Sequence, residues 1–80
     1  MSHFHLHHRH EPADCEAAFA AWNGFDSPLR HQPADSTCLT GEHTVYWRVR
    51  AESAAAALSL VPPFLRARTV AIAVRDVVIP

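Results

Sequence analysis

Met1-Ser2-His3-Phe4-His5-Leu6-His7-His8-Arg9-His10 opens the chain, and the alternation inside it governs how the rest is read. A period of two marks a half-buried β-strand. It sends Phe4, Leu6, His8 and His10 to one face and His3, His5, His7 and Arg9 to the other. The same ten residues hold five of the seven histidines in the chain. Imidazole titrates near neutral pH and is the commonest side-chain ligand of transition metals, so the strand is a chemical feature as well as a structural one. Phe4 and Leu6 interrupt the histidines and no linker follows them, which sets the stretch apart from a purification tag.

Outward from this strand, Glu11-Pro12 starts a helix, with Asp14 and Glu16 favouring the positive end of its dipole and Asn23-Gly24 stopping it. Cys15, Ala18, Phe19 and Trp22 fall on one side of that helix and are expected to face a sheet. Phe25 to Asp35, with Pro28 and Pro33, reads as a loop. Ser36 to Leu39 and His43 to Ala51 flank Thr40-Gly41-Glu42, a hairpin pattern with Gly41 at the turn. In its second arm Val45, Trp47 and Val49 point one way, and Thr44, Tyr46, Arg48 and Arg50 the other. Ser53 is placed to cap a second helix, whose buried stripe would be Ala54, Ala57, Leu58 and Val61 and which Pro62-Pro63 ends. Thr69 to Ile79, rich in branched residues, reads as a last strand.

Strand, helix, strand, strand, helix, strand is the order of two split β-α-β units. It predicts an α+β, ferredoxin-like domain over residues 1–80, a four-stranded antiparallel sheet with two helices on one face. A chain of 80 residues buries only about 60–65 % of its unfolded surface, and the 49 % apolar composition leaves material for an interface, so a homodimer or higher homo-oligomer is expected. All seven cations are arginines, balanced by eight acids, and no basic stripe suggests a nucleic-acid partner. Ala54 to Val61, the longest apolar run, is too short for a bilayer. Two cysteines without a secretory leader or a cysteine framework suggest a cytoplasmic protein with reduced thiols.

With this element order, this size and the terminal Val77-Val78-Ile79-Pro80, the chain resembles the dimeric α/β-barrel superfamily of small ferredoxin-like proteins. That superfamily includes muconolactone isomerases, antibiotic-biosynthesis monooxygenases and small nickel-binding proteins of actinobacteria. The resemblance implies a homodimer whose two sheets pack face to face, and it assigns no individual catalytic residue. Exclusive use of arginine and richness in alanine are also associated with GC-rich actinobacterial genomes.

In a ferredoxin-like sheet the first strand lies between the third and the fourth, so its end, His8 and His10, lies beside the start of the third, His43. Cys15 in the first turn of the first helix and Cys38 at the end of the second strand belong to the same edge. Mixed imidazole and thiolate ligands suit Zn²⁺, Ni²⁺ or Cu²⁺, with four ligands for a closed site and three for an open one. Plain packing competes with this reading: a buried free cysteine behaves as a small hydrophobe, and His8 and His43 share a face with apolar neighbours. On the opposite face His3, His5 and His7 meet Tyr46, Arg48, Arg50 and Arg75. A pocket there would suit a cofactor-independent isomerase, cyclase or monooxygenase with His5 or His7 moving a proton and arginine holding a small anionic ligand; otherwise the face is hydrated. With two glycines and no phosphate loop or nucleophile elbow, nucleotide chemistry has no motif here.

Overall fold

A computed structural model describes residues 1–80. The chain is α+β, with a four-stranded antiparallel sheet built from β1 (Ser2–Arg9), β2 (Asp35–Ser36), β3 (Thr44–Ala51) and β4 (Thr69–Val74). The order across the sheet is β2-β3-β1-β4, compatible with a ferredoxin-like arrangement. Three short helices, α1 (Cys15–Ala20), α2 (Ala54–Leu58) and α3 (Pro63–Arg66), supply the second layer. None of the helices is long and apolar enough to cross a membrane.

β1 is the centre of the sheet, bonded to β3 on one side, with Leu6 opposite Trp47, and to β4 on the other, with Leu6 opposite Ala71. Its alternation is obeyed: Phe4, Leu6, His8 and His10 are buried, while His3, His5 and His7 are half-buried on the uncovered face. Phe4 and Leu6 join Val49 and Ala51 of β3, and Ala18, Ala57, Val61 and Leu65 from the helical layer close over them as the core. Ser53 caps α2 as its position predicts, its hydroxyl accepting from the Ala56 N–H at 3.1 Å.

Several expectations are corrected. The first helix is a 3-10 turn, Pro12–Asp14, followed by a six-residue helix, and Phe19 lies 60 % exposed instead of in the core. Neither segment has a side-chain cap, and the helix is held down by burial of Ala18 and by Ala21 and Trp22 packing against the core just after it. The second strand shrinks to Asp35–Ser36, and Cys38 starts a 3-10 turn, Cys38–Thr40, because nearby hydroxyls compete with sheet pairing for its backbone. There the Ser36 hydroxyl accepts from the Cys38 N–H at 3.2 Å and the Thr37 hydroxyl from the Thr44 N–H at 3.0 Å. α2 ends at Leu58, short of Val61 and ahead of Pro62-Pro63, in i→i−3 turns closed by the Leu60 N–H on the Ala57 carbonyl and the Val61 N–H on the Leu58 carbonyl. Pro63 instead begins α3, since a proline at the first helical position lacks only an N–H that would be unpaired anyway. β4 ends at Val74, leaving Arg75 outside the sheet and Val77, Val78 and Ile79 exposed beyond it.

Candidate metal centre

Three segments meet where β1 ends. The last contact of β1 with the β3 arm is the His10 N–H donating to the His43 carbonyl at 3.2 Å, which draws His43 beside His10. Gly41 (φ 85°) and His43 (φ 53°) both take the left-handed backbone that turns the chain into β3. Beyond His10, the Pro12–Asp14 turn, closed by the Asp14 N–H on the Glu11 carbonyl at 2.8 Å, folds the chain back so that Cys15 opens α1 next to the same spot.

One donor atom from each of His10, Cys15 and His43 lies within 4.8 Å of the other two, close enough to hold a metal ion. The His10 and His43 rings stand 5.5 Å apart, centroid to centroid. His10 Nε2 and His43 Nδ1 are buried without any hydrogen-bond partner. Buried polar atoms are paired in the great majority of cases, so two orphans on adjacent rings beside a thiol call for an occupant. A cation with affinity for nitrogen and sulfur satisfies both at once.

His8 stands one step behind this group. Fully buried, it contacts His10 through Nε2 and Nδ1 at 3.1 Å and reaches Thr69 Oγ1 through its own Nδ1 at 3.1 Å. Burial, then the neighbouring His10, pushes the His8 pKa below the ordinary imidazole value. Burial, then His43, does the same for His10, opposed by Asp14. Both shifts favour the neutral ring, the form that binds metal.

Of the five residues anticipated at this edge, His10, Cys15 and His43 come together, His8 supports them from behind, and Cys38 is absent from the group. The Cys38 Sγ instead accepts from the Ser36 hydroxyl at 3.0 Å in the turn after β2. Thr69, 61 residues along the chain from His8, carries no sequence signal for a part in the site; only the register that sets it opposite His8 reveals it. A cavity of about 370 Å³ also adjoins the site, with His8, His10, Trp22, Trp47 and Leu65 in its wall and His31 among its lining residues.

On the uncovered face, His5 Nδ1 and His7 Nε2 are 2.6 Å apart, and the Tyr46 ring stacks near His5 and meets His7 edge-on. Arg48 is engaged by Asp76 at 3.0 Å, while Arg50 is exposed. These residues form a polar surface beside Val70 and Ile72, and the one cavity lies on the other side of the sheet. The chain matches no protein-family model, no curated protein and no solved structure.

Proposed function

We propose that this protein binds a divalent transition metal, Zn²⁺, Ni²⁺ or Cu²⁺, through His10, Cys15 and His43. The observation that carries the reading is the pair of buried, unpartnered imidazole nitrogens next to a free thiol. One thiolate and two imidazoles form a borderline-soft set without oxygen ligands, which selects against Mg²⁺ and Ca²⁺. Three protein ligands leave a coordination position open, the arrangement of sites that do chemistry or pass a metal on, and His10 belongs both to the donor group and to the cavity wall. Metal handling or a metal-supported reaction are the roles this supports.

The strand order supports assigning the chain to the ferredoxin-like folds, and a second copy packed on the uncovered sheet face accounts for the exposed Val70 and Ile72 there. Free cysteines suit the reducing cytoplasm. The test is a titration of untagged protein, purified without a nickel column, with Co²⁺ and Zn²⁺. Saturation at one metal per chain, with a thiolate-to-Co²⁺ absorption band, is the expected result; no saturable binding of either ion refutes the proposal.

A further inference from the structure

The hydrogen bonds behind His10 run in one direction only. Thr69 Oγ1 lies 2.7 Å from the Leu65 carbonyl, which has no proton to give, so the single hydroxyl proton of Thr69 points there. Toward His8, 3.1 Å away, the same oxygen can then only accept, and His8 Nδ1 must carry a proton. His8 is fully buried and has no acidic partner, so its ring is neutral and its Nε2 is a bare lone pair. That lone pair faces His10 Nδ1 at 3.1 Å and accepts from it, which puts the proton of His10 on Nδ1 and leaves His10 Nε2 unprotonated. His10 Nε2 is one of the two buried orphans of the site.

We infer that Thr69 and His8 are positioning residues that lock His10 in its Nδ1–H form and present its Nε2 lone pair toward Cys15 and His43. The purpose of this lock rests on the metal-binding reading, while the lock itself stands on the bonds just described. It is built into the sheet, because Thr69 is the β4 residue paired with His8 and its hydroxyl is held by Leu65 at the end of α3. Outer partners of this kind fix ring orientation and tautomer, and removing one typically weakens metal binding by about 10–100-fold. The lock selects Nε2 as the ligating atom of His10; His43 lies outside it, and the nitrogen it has free is its own unpartnered Nδ1.

Thr69→Val, nearly isosteric, removes the acceptor for His8 Nδ1–H. His8 can then move its proton to Nε2 and donate to His10 Nδ1, forcing the His10 proton onto Nε2, where it blocks the metal. Long-range proton–nitrogen NMR spectra of the metal-free protein at mildly alkaline pH read the tautomer of each ring directly. The wild type is expected to show Nδ1–H at both His8 and His10, Thr69→Val to show both rings shifted toward Nε2–H, and Thr69→Ser, which keeps the hydroxyl, to resemble the wild type. Zn²⁺ affinity should fall by about 10–100-fold in Thr69→Val and recover in Thr69→Ser. An Nε2–H ring at His10 in the wild type, or tautomers unmoved by Thr69→Val, overturns the inference. Absence of Zn²⁺ binding in all three proteins refutes the metal-binding reading instead, and the metal-free spectra still decide the lock.

Discussion

Replacing His43 with glycine should weaken Zn²⁺ binding strongly while leaving the metal-free protein as stable as before, or more so. His43 holds a left-handed backbone at φ 53°, a conformation that costs a residue with a Cβ about 1–2 kcal/mol and glycine almost nothing. Its Nδ1 is buried without a partner, which costs about 1–3 kcal/mol in the absence of metal. Against these gains stand the extra chain entropy of glycine, roughly 0.5–1 kcal/mol, and the lost packing of a half-buried ring, roughly 1 kcal/mol. The balance lies between about 0 and 3 kcal/mol in favour of the metal-free variant. On the metal side, about 10–16 kcal/mol for a four-ligand Zn²⁺ site is roughly 2.5–4 kcal/mol per ligand. Losing one ligand therefore weakens binding by about two to three powers of ten. Urea unfolding of chelator-stripped protein measures the first quantity, and competition with a chromophoric chelator the second. Zn²⁺ affinity equal to wild type, or a metal-free variant clearly less stable than wild type, would show that His43 serves the fold and not a metal.

Acid should destabilise the metal-free protein. The folded pKa values of His8 and His10 lie below their unfolded value of about 6.5, so the unfolded chain binds more protons. Their contribution to stability is complete above that pH and is lost as pH falls through it toward the folded values; an unfolding midpoint that does not move between neutral pH and pH of about 5 contradicts this. Cys15→Ser should abolish the thiolate-to-Co²⁺ band and weaken Zn²⁺ binding, whereas Cys38→Ser, outside the donor group, should leave both unchanged. Equal losses in the two variants would move the site. Leu6→Ala, at a fully buried position on the central strand, should cost about 2–5 kcal/mol in denaturant melts. A loss well under 1 kcal/mol would place the core elsewhere.

What could be read from the sequence were the features with strict local periods. Alternation in β1 and β3 gave both faces of the sheet correctly, and the Ser53 cap and the Gly41 turn each depend on a single residue with a defined geometry. The joining of His10 with His43 followed from strand order alone, because antiparallel pairing forces the end of β1 against the start of β3. Missed features were those decided by competition. Ser36 and Thr37 draw the backbone into a turn although the residues around them read as a strand, and Pro63, which reads as a helix stop, begins a helix of its own four residues after α2 has closed at Ser59. Phe19 sits at helical spacing from Cys15 and Trp22, yet a helix of six residues cannot bury a full stripe. Thr69 lay beyond reach because its role depends on the register of β4 against β1, which no local pattern encodes.

The central position of β1 divides the metal centre by how readily its parts open. Amides of β1 are bracketed by β3 and β4 along most of the strand, so they exchange with solvent only through the largest openings of the molecule. His10 is tied to this slow element, whereas Cys15 opens a helix of six residues and His43 precedes β3 in a turn, segments that open at far smaller cost. A bound ion would therefore fasten two fraying segments to the least exchangeable strand, and the protection it adds should concentrate in residues 11–20 and 37–43 instead of spreading through the sheet.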